Sequence, residues 1–257
     1  MKTKKINSIL IACVNYNTYD KLNVYIDSIG AAKKQYFKDL KITMLIADNS
    51  DCPDEGLIDK KDNIEIIFIN NHGNKGYLGG VKEAIEVSGI SFDCFDYFII
   101  SNVDVTISKL FFPKLLETNI DTSIGCIAPA IISEKENRDR NPKICVRPTK
   151  KKMKLIALMY KYPIFHYLYT KTIYLRKKRI HRCFYSSIIY AGHGSFMIFT
   201  RNFLNDIILD FPCFLFGEEI FFAEILKKNK LKTIYEPRII VYDFDHVSTS
   251  KMKKKKY

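Results

Sequence analysis

The stretch DYFIISNVDVTI, residues 96–107, joins an apolar run to a polar turn. Its first part, Tyr97 to Ile100, is short and rich in aromatic and β-branched residues, which predicts a buried strand. Asn102 and Asp104 follow directly and lie two positions apart. Residues two apart share one face of an extended chain. A buried strand is therefore expected to end by presenting two polar side chains together.

The residues before this stretch alternate between strand-like and helix-like patterns. The apolar runs SILIACV, ITMLIA, IEIIFIN and DYFIIS are separated by helical patterns near 20–35 and 77–89, and another follows at 108–118. Such alternation predicts an α/β fold with a mostly parallel central sheet that is covered by helices on both faces. Ligands of these sheets bind at the carboxyl ends of the strands. The polar residues at those ends are Asn15, Tyr16, Asn17, Asp48, Asn49, Asn102 and Asp104.

Composition places the chain among globular proteins. Its 257 residues are 47% hydrophobic, which is enough for a sizeable core in one domain. The seven cysteines include no CxxC pair, so neither a disulfide framework nor a zinc cluster is indicated, and a reducing cytoplasm is expected. The apolar run Ile9–Val14 follows an N-terminal group of lysines, but it is short and is interpreted as the first strand. No run approaches the roughly 20 apolar residues that cross a bilayer.

Positive charge is concentrated in residues 142–182. Of the 41 Lys and Arg residues, thirteen lie in this segment, which has no Asp or Glu; the other 28 are matched by 28 acidic residues. The segment mixes its bases with apolar and aromatic residues, and Lys150 to Lys154 flank an apolar helical face that is interrupted by Pro163. A basic amphipathic helix favours an anionic membrane surface. A solvated helix packed on the core and a nucleic-acid surface are the alternatives.

A glycine-rich loop, NNHGNKGYLGG at residues 70–80, leads from the third strand into a helix. Its glycines permit backbone N–H groups to approach a phosphate, and Lys75 adds charge. A tight connection between strand and helix explains the loop equally well. The loop contains no GxxxxGK[ST], and a dinucleotide fingerprint would follow the first strand, which weakens ATPase, kinase and dehydrogenase interpretations.

Two motifs in the last third carry further candidate residues. AGHGSFMIFT, residues 191–200, contains glycines that permit close approach to its backbone. Gly217-Glu218-Glu219 opens a predicted helix. Acidic residues are common partners of a helix dipole, so this position alone does not separate structure from catalysis. His246 lies after a last predicted strand and on its own indicates nothing.

Seven short motifs, in this order, resemble the family-2 glycosyltransferases. They are VNYNTYD, IADNS, NHGNKGYLGG, SNVDV, AGHGSFMIF, FGEEIFF and DFDHVSTS, and they extend over residues 7–250. These relatives are inverting enzymes with the A-type nucleotide-sugar fold, and the sequence is most similar to the rhamnosyltransferase-like branch that builds bacterial polysaccharides. The resemblance implies a single domain, residues 1–257, with a nucleotide-sugar half at 7–128, a basic helical excursion at 142–182, a catalytic half at 186–250 and a basic tail at 251–257.

The resemblance also implies roles for the polar residues. In the family an Asp-x-Asp motif follows the fourth strand and binds a divalent ion; here Asp104 is the expected ligand of Mg²⁺ or Mn²⁺, and Asn102 replaces the other carboxylate. Tyr16 would stack on the nucleobase. The remaining residues expected near the donor are Asn17, Asp48, Lys75 and Gly76, and His246 matches a position that contacts the metal or the diphosphate.

The pair Glu218-Glu219 matches the family's acidic pair, whose second member is the general base. We therefore expect Glu219 to deprotonate the acceptor, with Glu218 as the alternative. The expected reaction is the metal-dependent transfer of a hexose from a UDP- or dTDP-sugar donor to a saccharide, free or lipid-linked, with inversion.

The expected setting is the cytoplasmic face of the cell membrane, where residues 142–182 and the tail 251–257 would hold the enzyme on anionic lipid, and no nucleic-acid partner is expected. A nucleotidyltransferase and a basic module that binds nucleic acid or another anionic polymer are the competing interpretations. The first would carry a basic glycine-rich signature after the first strand, which VNYNTYD lacks.

Overall fold

The computed structural model describes residues 7–36, 38–161 and 185–244. The helices are α1 Tyr19–Lys34, α2 Tyr77–Ser88, α3 Phe111–Glu117, α4 Lys150–Lys161, α5 Arg201–Leu204 and α6 Glu218–Lys228. The strands are β1 Asn7–Asn15, β2 Leu40–Asp48, β3 Glu65–Asn70, β4 Tyr97–Ser101, β5 Val105–Ile107, β6 Ile124–Ser133, β7 Arg138–Asp139, β8 Ser187–Ile189, β9 Phe196–Thr200 and β10 Lys232–Asp243. Short 3₁₀ turns lie at Glu55–Leu57 and Phe92–Cys94.

The described strands form one mixed sheet in the order β3-β2-β1-β4-β9-β6-β10-β5, with β7 beside β6 and β8 beside β10. Strands β3, β2, β1 and β4 are mutually parallel, and β6 is parallel to β10. Strand β9 is antiparallel to both of its neighbours, β4 and β6. The predicted α/β fold with a largely parallel sheet is confirmed. The predicted first strand, Ile9 to Val14, lies within β1.

Apolar clusters cover both faces of the sheet. Along β1, Ile9 and Ile11 pack into the cluster that includes α1 and α3, whereas Leu10 and Ala12 pack into the cluster that includes α2, α5 and α6. This alternation follows from the period of two in a strand. Because both faces of the sheet are covered, the sequence of β1 is continuously apolar and does not alternate between apolar and polar residues.

The parallel strands bring their carboxyl ends to one edge of the sheet. Asn15 at the end of β1 is paired with Asp48 at the end of β2, and Asp48 is paired with Asn70 at the end of β3. Antiparallel β9 starts at this same edge, where Phe196 is paired with Ser101 of β4. The glycine-containing segment 191–195 therefore lies beside the residues that follow β4.

The basic segment begins with an exposed helix. The described side chains Lys150 to Leu155 and Leu158 of α4 are exposed, so they do not pack on the core. The remainder of the segment from 162 to 182 and the basic tail 251–257 lie outside the described residues. Among the helices of the described ranges, none is long and apolar enough to cross a membrane.

Candidate active site

A pocket of about 390 Å³ lies at the carboxyl edge of the sheet. Its wall is built from the ends of β1 and β4, the start of α2, the segment before β9 and the start of α6. Six of the residues that were predicted from the sequence contribute to it: Tyr16, Gly76, Asn102, Asp104, Glu218 and Glu219. The fold thus brings together residues that are as far as two hundred positions apart in the chain.

Asn102 and Asp104 lie on the pocket wall, while Val103 between them is buried. The backbone N–H of Asn102 donates to the carbonyl of Ser195 at 2.9 Å, which fixes the turn after β4. Asp104 is 4% exposed, and its backbone carbonyl accepts a hydrogen bond from Phe244 N–H at 3.1 Å. These contacts fix the backbone of the Asn-Val-Asp motif at the pocket.

The donor atoms of this motif fit a hard divalent cation. The Asp104 carboxylate and the Asn102 amide oxygen are both ligands that Mg²⁺ and Mn²⁺ accept. Within the described residues there is no group of three or more His, Cys, Asp or Glu side chains placed to hold an ion. Mg²⁺ commonly binds through one or two carboxylates together with substrate phosphates and waters, so this donor set suits an ion that arrives with a phosphate ligand.

The first turn of α6 brings two carboxylates to the opposite side of the pocket. Glu218 packs against Gly194, where a Cβ atom would lie only 2.0 Å from Glu218 Oε1. Burial raises the pKa of Glu218 above its ordinary value and the charge of Glu219 adds to this, while a hydrogen bond from its own backbone N–H and the charge of Lys143 oppose it. A partly buried carboxylate with a raised pKa is well suited to proton transfer. Glu219 lines the pocket and also a small cavity beneath α6.

Gly76 has a structural reason to be glycine. Its φ of +75° belongs to a region that residues with a side chain rarely adopt, and a Cβ there would lie 2.2 Å from the carbonyl oxygen of Phe214. That carbonyl also accepts a hydrogen bond from Tyr77 N–H at 3.4 Å. The start of α2 is therefore covered by the segment before α6. The phosphate-binding interpretation of this loop stays a prediction, and close packing accounts for the glycine.

Three predicted donor residues lie outside the pocket wall. The carboxylate of Asp48 is fully buried and accepts hydrogen bonds from Ser50 N–H at 2.8 Å, from Asn15 Nδ2 at 3.3 Å and from the hydroxyl of Tyr19. Asn17 adopts a φ of +53° and donates its N–H to Ser50 Oγ at 2.8 Å. These contacts hold the Asp48 carboxylate and the Asn17 backbone in place, and the roles of both residues toward a donor stay predictions.

Lys75 is exposed, and its Nζ lies 3.8 Å from Glu83 Oε2. The predicted metal-contacting or diphosphate-contacting His246 lies outside the described residues. The roles of both residues toward a donor stay predictions.

Sequence reasoning missed several residues of the wall, among them Arg140, Lys143, His193 and Asp243. Arg140 and Asp243 form a buried ion pair, with 2.5 Å between Arg140 NH1 and Asp243 Oδ2 and side-chain exposures of 7% and 3%. Asp243 is paired with Val105, which places this ion pair next to Asp104. The basic segment 142–182 was the only sequence signal for Lys143, and it pointed to a surface and not to a pocket; Arg140 lies before that segment and had no sequence signal.

His193 is held from two sides. Its backbone N–H donates to Asn141 Oδ1 at 2.8 Å, and its Nδ1 accepts a hydrogen bond from Ser195 N–H at 3.2 Å. Ser195 Oγ lies 2.9 Å from the same Nδ1. Because a backbone N–H can only donate, Nδ1 is an acceptor and the proton of the neutral imidazole is on Nε2. The motif AGHGS thus supplies the wall with an oriented ring as well as with the glycine contact to Glu218.

Comparison with known proteins identifies the fold. A crystal structure of GalNAc-T7 with UDP, GalNAc and Mn²⁺ superimposes with a TM-score of 0.57 at 12% sequence identity. The match covers 96% of this chain and 45% of that one, so the present chain spans less than half the length of the protein that it matches. The architecture is that of the A-type glycosyltransferases.

A second structure, A197 from STIV, matches with a TM-score of 0.48 at 13% identity, over 94% of this chain and 87% of that one; this score is too low to support an argument. No family model matches the sequence, and no curated protein matches it.

Proposed function

We propose that this protein is a glycosyltransferase that moves a sugar from a nucleoside diphosphate donor to a saccharide acceptor. One observation carries the proposal: Asp104 and the pair Glu218-Glu219 line one pocket, at the strand ends where an α/β sheet binds its ligands. The A-type fold supports the proposal, since the GalNAc-T7 structure of that fold contains UDP, GalNAc and Mn²⁺.

Donor binding is assigned to the side of the pocket formed by the ends of β1 and β4. Tyr16 would stack on the nucleobase, with Asn17 and Asp48 behind it, and Gly76 and Lys75 would lie near the sugar or the phosphates. Asp104 and the Asn102 amide oxygen would hold Mg²⁺ or Mn²⁺, with His246 as a further contact. When bound, the ion supplies positive charge that neutralises the departing diphosphate.

The acceptor hydroxyl is assigned to the α6 side of the pocket. A sugar hydroxyl is a weak nucleophile, so a carboxylate must accept its proton as the bond to the anomeric carbon forms. Glu219 has the position of the base in the sequence resemblance, and Glu218 has the enclosed environment that raises the pKa of a base. Attack from the face opposite the leaving group is a single displacement, which inverts the anomeric configuration.

The base assignment is tested with the two variants Glu218→Gln and Glu219→Gln, each assayed for transfer and for donor binding. The base variant retains donor binding and loses transfer by a factor of 10² or more. The assignment of a base on this helix turn is contradicted if both variants turn over at the wild-type rate.

The acceptor is proposed to be a saccharide of a bacterial surface polysaccharide, linked to a lipid at the cytoplasmic face of the cell membrane. Helix α4 supports this setting because its described side chains form an exposed cationic and apolar surface, with lysines at 150, 151, 152 and 154 beside Met153, Leu155 and Leu158. The rest of the basic segment and the tail would extend this surface.

A further inference from the structure

Residues 140–147 form a strap across the pocket that is fastened on both sides of Lys143. On one side, Arg140 N–H donates to Ile131 O at 2.8 Å and Asn141 Nδ2 donates to Pro129 O at 2.8 Å. On the other side, Ile144 exchanges two backbone hydrogen bonds with Ala191, both 3.0 Å long. The backbone of Lys143 is thus fixed by its neighbours.

A clamp at the end of the strap ties it to the helix that carries the glutamates. Arg147 makes two hydrogen bonds to Glu224 of α6, from Nε to Oε1 at 2.7 Å and from NH2 to Oε2 at 2.6 Å. Tyr190 donates its hydroxyl to the same Oε1 at 2.5 Å. A bidentate pair of this kind fixes geometry as well as charge. The end of the strap is therefore fixed relative to α6, the helix whose first turn carries Glu218 and Glu219.

Among the Lys and Arg side chains of the described pocket wall, Lys143 is the one without an ion-pair partner. The wall contains two cationic side chains, and Arg140 is engaged with Asp243. Within the described residues, no carboxylate lies within 4.0 Å of the Lys143 ammonium. Its charge still reaches Glu218, where it opposes the effect of burial on the pKa. A lysine on a fixed backbone that faces a pocket without an ion-pair partner is arranged to bind an anion.

A diphosphate needs such a cation in this pocket. Apart from Asp243, which is paired with Arg140, three carboxylates line the described wall, at Asp104, Glu218 and Glu219, and they repel an anionic substrate. A divalent ion on Asp104 offsets only part of this charge. An ammonium group supplies a compact charge and three donors for phosphate oxygens.

We propose that Lys143 binds a phosphate group of the substrate in this pocket. The inference rests on the proposed function, and a phosphate can come from the nucleoside diphosphate of the donor or from the phosphate of a lipid-linked acceptor. In either position Lys143 contacts the substrate, and the strap and its clamp hold it there.

Binding measurements separate these possibilities. Three proteins are compared by calorimetry: wild type, Lys143→Met and the control Lys109→Met. One arm measures binding of UDP, dTDP and GDP and of the matching nucleosides, and the other arm measures binding of farnesyl diphosphate. Each titration is run once with Mn²⁺ and once with EDTA. Methionine keeps the length of the side chain and removes its charge. Lys109 is an exposed lysine outside the pocket wall, so its variant controls for the loss of one positive charge.

If the phosphate comes from the donor, Lys143→Met weakens binding of the nucleoside diphosphate about tenfold, leaves nucleoside binding unchanged and shows its larger effect in EDTA. If it comes from the acceptor, the loss appears with farnesyl diphosphate alone. If wild type binds a nucleoside diphosphate and Lys143→Met has wild-type affinity in both arms, the role of Lys143 is overturned. The proposed function is not affected by that result. Wild type that binds no nucleotide overturns the proposed function instead.

Discussion

Glu218 and Gly194 are in contact across the pocket wall: a Cβ on Gly194 would lie 2.0 Å from Oε1 of Glu218 and 2.8 Å from its Cγ. Gly194 comes from the segment before β9 and Glu218 from the first turn of α6. Tyr77 of α2 donates its hydroxyl to the carbonyl of Gly194 at 3.1 Å, so a third element supports the same point. The position of the Glu218 carboxylate is therefore determined by a residue without a side chain.

We expect Gly194→Ala to displace the Glu218 carboxylate and to lower transfer at least tenfold, because a misplaced catalytic group loses its alignment with the reacting atoms. The protein should remain folded, since the contact is with the end of a flexible side chain and Gly194 has no positive φ. Circular dichroism checks folding and steady-state transfer checks activity. Gly79→Ala is the control, because its Cβ makes only an ordinary 3.5 Å contact. Equal activity of Gly194→Ala and wild type would contradict the alignment argument.

Replacing Glu218 with glutamine should stabilise the fold at alkaline pH. Burial raises the pKa of Glu218 in the folded state, so its contribution to stability is present at low pH and is lost as the pH rises through the folded-state value. Glutamine has no charge to bury and escapes this loss. We predict a higher melting temperature for Glu218→Gln than for wild type at pH 8, with the difference closing toward the ordinary glutamate pKa of about 4.3. Equal melting temperatures at pH 8 would argue against a raised pKa of Glu218 in the folded protein.

The same raised pKa predicts the acid limb of the activity profile if Glu218 is the base. The carboxylate form accepts the proton, so transfer should fall as the pH drops through a value above that of an ordinary glutamate. Rate against pH for Glu219→Gln, which keeps Glu218, is the cleanest measurement. Loss of transfer in Glu219→Gln, or an acid limb no higher than that of an ordinary glutamate, would contradict Glu218 as the base.

Gly76→Ala should cost about 2 kcal/mol of unfolding free energy, because the left-handed backbone and the contact with Phe214 O both oppose a side chain. Urea denaturation measures the change. Gly79→Ala within α2, which begins directly after Gly76, is again the matched control and should be neutral or stabilising, since alanine favours helix. If Gly76→Ala is as stable as wild type, the segment around Phe214 must move to accommodate the new Cβ atom.

Neutralising the lysines of α4 tests the membrane setting. Each lysine near an anionic surface contributes about 1 kcal/mol of binding, so glutamine at the four positions 150, 151, 152 and 154 should reduce binding to phosphatidylglycerol vesicles by more than tenfold. The control removes four lysines near the end of α6 and the start of β10, at 227, 228, 230 and 232. Co-sedimentation gives the bound fraction. Equal losses in the two variants would indicate an unspecific charge effect.

Local sequence patterns predicted the part of the fold that depends on local chemistry. The apolar runs mark β1 to β4, and the capped pattern ending in Gly89 marks α2, whose last turn closes with Gly89 at a φ of +65°. The position of antiparallel β9 between β4 and β6 depends on pairing between segments that are far apart in the sequence, which no local period records.

The site was predicted to a similar extent. Asp104 was found because its position after a buried strand identifies the binding edge, whereas Glu218 and Glu219 were named because they match the acidic pair of the family that the sequence resembles. Arg140 and Lys143 were missed because only the folded strap places these two bases at the pocket. Gly76 was recognised as special, but the carbonyl of Phe214 that explains it lies far away in sequence.

The central claim is that this pocket binds a nucleoside diphosphate through Asp104 and a divalent ion. The direct measurement is calorimetric binding of UDP, dTDP and GDP, each with and without Mn²⁺, to wild type and to Asp104→Ala. The proposal predicts that one nucleotide binds wild type, that Mn²⁺ strengthens this binding at least tenfold, and that Asp104→Ala removes the metal-dependent part. Binding of none of the three nucleotides to folded wild-type protein, or binding that Asp104→Ala leaves unchanged, would contradict it.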